Sequence, residues 1–380
     1  MMLLEHDAKT LLQSAGVHCP EGWLAAADGF KLSERASFPV AVKAQVPVGG
    51  RGKAGGIRIC HDAAEVKGAL TDILGMEIKG HTVGACRIEQ AVDGNEHYMA
   101  LKLVPDRGQV CCLYSRAGGI EIESNADALG SAFAAYEPGA VKAAFETLFS
   151  GADEFAAKAL VASSGSLVDA FFVNELMLLE INPLMIDADG GWTAADAKVV
   201  VDLNALPRQD AIRDMIEVRP GTYPEAEVKL KQGFDFVILS EDADIGLITT
   251  GAGLSMQVAD ELAARGHDVF NFCDMRTGGF RGNPDRLIYV LREIAARPTV
   301  KATLVNIFAG ITHLGEFSAV LLDALKQVPE FKLPIVARLV GNGEEEGMAL
   351  LSAAPHSMHF ERDLDRAMDM VVAISEGRAA

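Results

Sequence analysis

A lysine followed by a glycine-rich basic loop is the first feature of the sequence that points to chemistry. Lys43 ends an apolar stretch, and the loop Gly49–Gly56 contains five glycines together with Arg51 and Lys53. Glycines let backbone N–H groups approach phosphate oxygens, and the two cations add positive charge at the same place. The pattern predicts a phosphate-binding loop; the alternative is a flexible surface hairpin tip with ordinary basic residues.

This loop does not match either of two well-known ATP-binding motifs. A Walker A loop would place glycine at position 47 and serine or threonine at position 54, where the sequence has Pro47 and Ala54. The stretch Val40–Lys43 copies the strand that carries the ATP-binding lysine of protein kinases, but no HRD or DFG sequence follows it. The sequence therefore excludes a P-loop protein of this register and a protein kinase.

A second group of polar residues lies much further along the chain. Glu180 and Asn182 alternate with Ile181 in a predicted strand, so their side chains point to the same face. Asp196 lies on the predicted neighbouring strand, where it can meet them. A few oxygen ligands near phosphates suit Mg²⁺, while the alternative is a hairpin end with Asn182 and Pro183 in the turn. Together with the phosphate loop, this group favours the metal site.

Composition limits the class of protein. The chain has 380 residues and a formal net charge of −19, since 34 Lys and Arg face 53 Asp and Glu. An acidic surface repels nucleic acid, although a local basic cluster can still bind a nucleotide. The six cysteines show no CxxC or disulfide pattern, which predicts buried reduced thiols. No signal-peptide core is present and no apolar run reaches the roughly 18 residues of a membrane span, so we expect a cytoplasmic protein that does not enter a membrane.

The hydrophobic pattern of the first half predicts a mixed α+β domain. Leucines at helical spacing near the N-terminus end at Gly16, and a helical tract is predicted at Ala140–Ser163. Turn residues at 105–108 and 188–191 predict two β-hairpins. The predicted strands are Pro39–Val46, Gly56–Cys60, Ala85–Glu89, Tyr98–Val104, Gln109–Ser115, Leu176–Asp187 and Trp192–Val201.

The second half has a different order of predicted elements. A polar stretch with several prolines near residues 206–230 predicts a linker. After it, strands, glycine turns and helices alternate, which is typical of a parallel, doubly wound sheet. The predicted strands are Ile245–Thr249, Asp268–Phe272, Ala302–Phe308 and Pro334–Leu339. We therefore predict two domains, residues 1–225 of α+β class and residues 226–380 of α/β class.

The motifs taken together resemble those of one enzyme family from end to end. The first 200 residues resemble an ATP-grasp domain, and the whole chain resembles the β, nucleotide-binding subunit of succinyl-CoA synthetase and its malate–CoA ligase relatives. The matching stretches occur in family order: EHDAKTLL, VAVKAQVPVGGRGKAGGIRI, AGGIEIE, LEINPLMI, ADAK, GLITTGAGLSM, VNIFAGI and ARLVGNGEEEG. The resemblance implies an ATP-grasp domain followed by a flavodoxin-like, doubly wound ligase domain.

The resemblance also implies which residues bind the nucleotide. They are Lys43, Gly50, Arg51, Gly52, Glu89, Val92 and Glu96. Arg51 and the glycines beside it would lie over the phosphates. Glu89 and the backbone of Val92 would hold the ribose or base, and Glu96 would replace a further ATP-contacting acid in a loop one residue shorter than usual.

The implied chemistry is an ADP-forming acid–CoA ligation. Asn182 and Asp196 match the family's Mg²⁺ ligands, and Glu180 matches the acid that faces the phosphohistidine. The substrates would be ATP (or GTP), CoA and a carboxylate such as succinate. The partner would be a CoA-binding α subunit that carries the phosphohistidine, in an αβ or α₂β₂ assembly.

The glycine turns of the second half match the family's acyl and phosphate contacts. The implied substrate-binding residues are Thr250, Gly310, Ile311 and Thr312. Each turn follows a strand and opens a helix, where N–H groups and the helix dipole favour an anion. Departures from the family lie here: Thr250 replaces an asparagine, His313 follows the second turn, and Arg276 and Arg281 are additional cations. We expect His313 to have a structural role at a helix start. Arg276 and Arg281 are either ordinary surface charges or residues that recognise a different carboxylate. The resemblance thus predicts ATP use more firmly than it predicts which acid is used.

Two alternatives remain open from the sequence. One is another ATP-grasp carboxylate ligase, such as a carboxylate–amine ligase, which the α/β second half disfavours. The other is a non-catalytic subunit that binds a nucleotide and supports a partner. The presence of Lys43, Asn182 and Asp196 argues against that second alternative.

Overall fold

The computed structural model describes residues 1–26, 37–118, 129–152, 154–276, 282–310 and 312–378. The chain divides into two compact units, Met1–Val218 (unit 1) and Arg219–Ala380 (unit 2). Both units mix helices and strands, and unit 2 contains a parallel sheet. The predicted α+β and α/β fold classes are confirmed.

In its described residues, unit 1 contains two larger antiparallel sheets, one two-stranded antiparallel sheet and their helices. The helices are α1 (Glu5–Ser14), α2 (Ala63–Ile73), α3 (Pro138–Leu148), α4 (Glu154–Val173) and α5 (Asp210–Val218). The strands are β1 (Gly22–Ala26), β2 (Val40–Ala44), β3 (Ile57–Cys60), β4 (Glu77–Ile78), β5 (His81–Thr82), β6 (Ala85–Gln90), β7 (Asn95–Val104), β8 (Gln109–Ser115), β9 (Gly130–Ala135), β10 (Leu176–Ile186), β11 (Trp192–Ala194) and β12 (Lys198–Val201).

The first sheet has the strand order β1-β6-β2-β3, and every neighbouring pair is antiparallel. All five residues of β2 are buried, which explains why this strand has a continuous apolar run with a single lysine in it. Helix α2 packs against β2 and β3, and Asp62 is its N-cap, whose side chain accepts a hydrogen bond from the N–H of Glu65. The lysine of β2 therefore stands on a covered, well-packed strand.

The second sheet has the order β11-β10-β7-β8-β9, and β12 also pairs with β10. The sequence predicted one strand over Trp192–Val201, and this prediction is wrong. Pairing with β10 stops at Ala194 and resumes at Lys198, so Asp196 lies outside the ladder. Alternation of apolar residues does not reveal such a break, because both short strands keep the same pattern.

The predicted helical tract Ala140–Ser163 is also two helices rather than one. The chain turns after α3, where the N–H of Ala152 donates to the carbonyl of Phe149 at 2.9 Å. The small and polar residues of this turn, Ser150 and Gly151, stop the first helix. The second helix, α4, continues to Val173.

Helix α4 corrects the expectation about apolar runs. By length and composition this 20-residue helix could cross a membrane, with a mean hydropathy of 1.4. Its buried side chains, among them Leu160, Leu167 and Phe171, pack in unit 1, where α4 contacts α3 and β10. A core helix of a folded domain passes the same length and composition test, and this packing is that of a core helix.

The first residues of the chain connect α1 to the second sheet. The N–H of Leu3 donates to the carbonyl of Val199, and the N–H of Val201 donates to the carbonyl of Met1, both at 2.9 Å. Helix α1 then begins at Glu5, and acidic residues in its first turn complement the helix dipole. Side chains of α1 consequently lie beside the break between β11 and β12.

Unit 2 begins inside the stretch predicted to be a linker. Its helices are α6 (Pro224–Gln232), α7 (Ala252–Ala264), α8 (Asp285–Ala295), α9 (Leu314–Gln327), α10 (Glu344–Ser352) and α11 (Leu364–Ser375). Its strands are β13 (Asp235–Ile238), β14 (Ile245–Thr249), β15 (Asn271–Asp274), β16 (Ala302–Ala309), β17 (Ile335–Gly341) and β18 (Met358–Phe360). Residues 206–230 thus contain α5 and most of α6, because proline at the first position of α6 starts a helix rather than preventing one.

The parallel sheet of unit 2 has the order β14-β16-β17-β18. One face packs on α7 and α11 through a cluster that includes Leu247 and Leu304, and the other face packs on α8 and α9 through Val305. Helices on both faces confirm the predicted doubly wound sheet. The predicted strand Asp268–Phe272 differs in its bounds and its pairing: β15 begins at Asn271 and pairs antiparallel with β13, and a single parallel bridge between Val269 and Ile245 joins the predicted segment to β14.

The cysteines are free in the structure, with five buried and Cys111 half-buried. Burial raises the pKa of Cys86 and of Cys112 to about 12, and that of Cys273 to about 11. These thiols stay protonated at neutral pH and are poor nucleophiles. The arrangement agrees with the predicted buried, reduced thiols.

Gly341 provides a test of the parallel sheet. It pairs with Ala309 at the end of β17, has φ of +133°, and a Cβ there would lie 2.0 Å from the Ala309 carbonyl oxygen. We expect Gly341→Ala to lower the free energy of unfolding of unit 2 by at least about 3 kcal/mol. Amide hydrogen exchange of peptides from β16 and β17 would measure the loss of protection.

Gly253→Ala is the matched control, because Gly253 lies in α7 with no atom within 4 Å of an added Cβ. We expect this change to alter stability by about 1 kcal/mol or less, in the stabilising direction. Equal protection in both variants would contradict the close contact between β16 and β17 at Gly341.

Candidate functional site

A cavity of about 1190 Å³ lies in unit 1, and residues of both antiparallel sheets line it. This volume can accommodate a nucleotide. All residues that the sequence predicted for nucleotide binding, metal binding and catalysis line this one cavity: Lys43, Gly50, Arg51, Gly52, Glu89, Val92, Glu96, Glu180, Asn182 and Asp196. The fold thus collects them from β2, β6, β7, β10 and three loops, while their individual roles stay predictions.

Lys43 is buried in β2 and its ammonium group is fully hydrogen-bonded. Its Nζ lies 3.1 Å from Glu5 Oε1, 2.6 Å from Glu89 Oε1 and 2.6 Å from the carbonyl oxygen of Ala195. Burial by itself lowers the pKa of Lys43, but the carboxylates of Glu5 and Glu89 outweigh it, so the pKa is raised and the side chain is charged.

The glycine-rich loop joins β2 to β3 as a compact turn. Lys43 faces Ile57 across the antiparallel pair, and the N–H of Ala54 donates to the Gly50 carbonyl at 3.2 Å. Gly50 has φ of +86°, a conformation that favours glycine. The backbone is a hairpin tip, as the alternative to a phosphate loop proposed, but its arginine is not an ordinary surface residue.

Arg51 is only 8% exposed and binds two carboxylates from distant parts of unit 1. Its Nη1 donates to Glu5 Oε2 at 2.6 Å and to the Ala44 carbonyl at 3.0 Å. Its Nη2 donates to both oxygens of Asp196, at 2.7 and 2.9 Å. The guanidinium therefore joins α1, β2 and the break between β11 and β12 at one point.

Glu5 and Lys9 bind the charged residues of this cavity, and the sequence analysis missed both of them. Glu5 Oε1 lies 2.8 Å from Lys9 Nζ, and both side chains are buried. They occupy the same face of α1 as Ala8 and Leu12, which are also buried. An acid and a base at i and i+4 on the apolar face of a helix are a detectable signal, because charged residues are rarely buried without a specific partner.

Glu89 lies at the end of β6 and is 1% exposed. Its oxygens lie 2.7 and 2.8 Å from Lys9 Nζ, 2.6 Å from Lys43 Nζ and 2.6 Å from Arg87 Nε. These partners are all cations. The predicted contact of Glu89 with a ribose or base would have to be made by a carboxylate that already compensates three positive charges.

Seven side chains joined by these ion pairs form what we call the Glu5 network. It contains Lys9, Lys43, Arg51 and Arg87 as cations, and Glu5, Glu89 and Asp196 as anions. The network therefore carries one excess positive charge in an acidic protein. Burial by itself raises the pKa of Glu5, but Arg51, Lys43 and Lys9 outweigh it and hold the pKa well below its usual range.

Asn182 and Asp196 provide oxygen atoms suitable for Mg²⁺. Both line the cavity, and the Asp196 side chain keeps 25% of its surface exposed even though Arg51 binds it. Among the described residues no group of three or more His, Cys, Asp and Glu could hold a metal ion. Mg²⁺ that arrives with a nucleotide needs only one or two protein oxygens, because phosphates and water supply the rest, so this donor set fits.

The predicted acyl-binding residues lie in unit 2, at the ends of β14 and β16. Thr250 follows β14 and is half-buried, and Gly310 follows β16 and is exposed. Thr312 precedes α9, while Ile311 lies outside the described residues. The first glycine turn already binds an acid, since the N–H of Gly251 donates to Asp274 Oδ1 at 2.9 Å. This contact agrees with the expected preference of the turn for an anion.

The additional charged residues near these turns have partners of their own. Arg276 donates to Asp235 Oδ2 at 3.0 Å, which is the ordinary surface ion pair of the two alternatives for this residue. Arg281 lies outside the described residues. His313 is the N-cap of α9 and its Nε2 lies 3.9 Å from Glu346 Oε2. Its position at a helix start agrees with the structural role expected for it.

Comparison with known proteins follows the same division of the chain. Residues 2–186 match the family model of the ATP-grasp domain, and residues 248–356 match that of CoA-ligase. The β subunit of the ADP-forming succinate–CoA ligase of Chloroflexus aggregans is 37% identical over 371 residues, covering 93% of this chain and 94% of that protein. Its counterpart in Rubrobacter xylanophilus is 35% identical over 399 residues, covering 99% and 100%.

Solved structures share the fold over almost the whole chain. The ATP citrate lyase of Methanothrix soehngenii, in complex with citrate and coenzyme A, aligns with a TM-score of 0.75 and 17% identity, and it covers 99% of each chain. At this identity the likeness concerns the fold alone.

Glu89→Gln tests the energetics of the Glu5 network. The change leaves two carboxylates among four buried cations, so we expect the free energy of unfolding of unit 1 at pH 7 to fall by about 3–5 kcal/mol. Trp23 and Trp192, the two tryptophans of the sequence, both lie in unit 1, so urea unfolding followed by tryptophan fluorescence reports on that unit.

The same variant has a pH dependence of defined sign. The pKa of Glu89 is lowered in the folded state, so its stabilising effect is complete above its unfolded pKa of about 4.3 and is lost as the pH falls further. The wild type should therefore lose more stability than Glu89→Gln between about pH 5 and pH 3. Glu146→Gln, an exposed change in α3, should behave as the wild type; equal losses in the wild type and Glu89→Gln would contradict the ion pairs of Glu89.

Proposed function

The chain belongs to the family of β subunits of ADP-forming succinate–CoA ligases, and we propose that its unit 1 cavity binds the ATP that such an enzyme consumes. The observation that carries this proposal is the placement of Lys43 and Arg51 beside Asn182 and Asp196 in one cavity of the ATP-grasp unit. Cations for phosphates and oxygens for Mg²⁺ are then within reach of the same ligand.

The nucleotide would lie with its phosphates at the glycine-rich loop. Lys43 and Arg51 supply positive charge there, and Gly50 and Gly52 allow close approach of the backbone. Val92 and Glu96 line the same cavity on the side of β6 and β7, where the ribose and base would lie with Glu89. The excess positive charge of the Glu5 network favours the polyphosphate within an otherwise acidic molecule.

Asn182 and Asp196 would hold Mg²⁺ together with the phosphates. When bound, the ion neutralises charge on the phosphate oxygens during phosphoryl transfer. Arg51 now donates to both Asp196 oxygens. At least one of these hydrogen bonds must break before that oxygen binds the metal. Its released N–H groups could then donate to a phosphate.

The reaction would proceed by phosphoryl transfer to a histidine of a CoA-binding α subunit. The γ-phosphoryl group leaves ATP as ADP forms, and the histidine nitrogen accepts it. A carboxylate oxygen then takes the phosphoryl group to give an acyl phosphate, and the CoA thiol displaces phosphate to give acyl-CoA. Glu180 lines the cavity and would face the histidine during the first step. The sum is ATP, acid and CoA giving ADP, phosphate and acyl-CoA.

The acid would be succinate or a related dicarboxylate bound in unit 2. Thr250 and the second turn, Gly310-Ile311-Thr312, would contact it at the ends of parallel strands, where helix N-termini favour an anion. We propose an αβ or α₂β₂ assembly in the cytoplasm. The match of residues 248–356 to CoA-ligase disfavours a carboxylate–amine ligase.

The activity can be tested with the chain co-produced with its candidate α subunit. We expect ADP release that requires both CoA and one member of a panel of short dicarboxylates. ADP release that needs an amine and ignores CoA would instead support the carboxylate–amine ligase. No ADP release with any acid would contradict the proposal.

Lys43→Ala and Asp196→Ala test the site residues. Because each change removes a direct phosphate or metal contact, we expect labelling of the α-subunit histidine by γ-labelled ATP to fall at least about 1000-fold. Lys67→Ala, an exposed change in α2, should leave labelling unchanged. Persistent labelling in Lys43→Ala would show that the residue assignment is wrong even if the enzyme class is right.

A further inference from the structure

Glu5 holds a central position that the proposed function does not use. Its two oxygens bind three cations: Oε1 lies 2.8 Å from Lys9 Nζ and 3.1 Å from Lys43 Nζ, and Oε2 lies 2.6 Å from Arg51 Nη1. It is 3% exposed. Of the acids in the Glu5 network, Glu5 alone binds both Lys43 and Arg51.

We propose that Glu5 is the positioning residue that sets the spacing of Lys43 and Arg51 for the phosphates of the nucleotide. This inference rests on the proposed function, since it assigns a role to a residue that supports the same site. Glu5 transfers no proton and no phosphoryl group. It acts through the two cations that do contact the phosphates.

The physical reason is the flexibility of the two cationic side chains. Lysine and arginine each lose considerable rotamer freedom when they are fixed, and a nucleotide would otherwise have to order them on binding. One carboxylate that binds both fixes their separation in advance. Phosphoryl transfer depends on such preorganised charge, because misplacement by about 1 Å can cost about 100-fold in rate.

Glu5 also competes with the nucleotide. The three protons of the Lys43 ammonium already have three acceptors, of which Glu5 Oε1 is the most distant. A phosphate oxygen must share or replace one of these bonds. Removal of the Glu5 charge therefore favours nucleotide binding electrostatically. The same change leaves Lys43 and Arg51 without the carboxylate that fixes their spacing for phosphoryl transfer.

Glu5→Gln should separate these two effects in the complex with the α subunit. We expect the dissociation constant for Mg·ADP, measured by calorimetry, to stay within about threefold of the wild type or to decrease. The single-turnover rate of histidine phosphorylation at saturating Mg·ATP should fall about 100-fold. An unchanged phosphorylation rate would overturn the inference, whether or not binding of Mg·ADP becomes weaker.

A double variant distinguishes positioning from charge balance. Glu5→Gln leaves Lys9 with one carboxylate fewer, whereas Glu5→Gln with Lys9→Met restores the network to one excess positive charge. We expect the double variant to recover thermal stability but not the phosphorylation rate. Recovery of the rate would show that Glu5 merely neutralises Lys9 and would overturn the inference.

Two further measurements make the outcome unambiguous. Glu5→Asp keeps the charge but shortens the side chain by one methylene, so its rate should lie between those of the wild type and Glu5→Gln; this variant and the double variant carry the test if Glu5→Gln does not fold. Glu146→Gln controls for loss of an exposed carboxylate. A wild-type complex that never phosphorylates its histidine would overturn the proposed function, and the present inference with it. A competent wild type with a rate unaffected in Glu5→Gln would overturn the inference alone.

Discussion

Four cations, Lys9, Lys43, Arg51 and Arg87, are buried together in unit 1, and burial of their charges would be strongly destabilising without carboxylates at hydrogen-bond distance. This requirement for compensation connects parts of the fold that are far apart in the chain. It requires α1 to lie against the first sheet, β6 to end in an acid, and the segment after β11 to approach the glycine-rich loop. The cavity exists where these three conditions meet.

The break between β11 and β12 is part of the same arrangement. The carbonyl of Ala195 accepts from both Lys9 and Lys43, at 2.7 and 2.6 Å, which it could not do if a continuous strand used that carbonyl in a ladder. The next residue, Asp196, binds Arg51. Two of the three residues between β11 and β12, Ala195 and Asp196, thus bind three of the four cations, and Asp196 is also one of the predicted metal ligands.

Local patterns in the sequence predicted the sheets, the doubly wound second half, Lys43, the glycine loop and Asp196. They did not predict Glu5 as the acid that joins Lys43 to Arg51, because its partners lie 38 and 46 residues away and periodicity carries no information about such pairing. The linker prediction was wrong because it took proline as a sign of irregular structure, whereas Pro224 is the first residue of α6. The acid and the base on the apolar face of α1, Glu5 and Lys9, were visible in the sequence, but only the fold shows which residues they contact.

Burial of the Glu5 network determines how its ion pairs respond to ionic strength. Dissolved ions screen charges that face water within about 10 Å at 0.1 M salt, but they act far less on pairs from which water is excluded. Exposed pairs such as Arg58 with Asp72 should weaken as salt is added, whereas the contacts of Lys43 and Arg51 should not. A molecule with a net charge of −19 can therefore keep a positive site for its nucleotide in dilute and in concentrated salt alike.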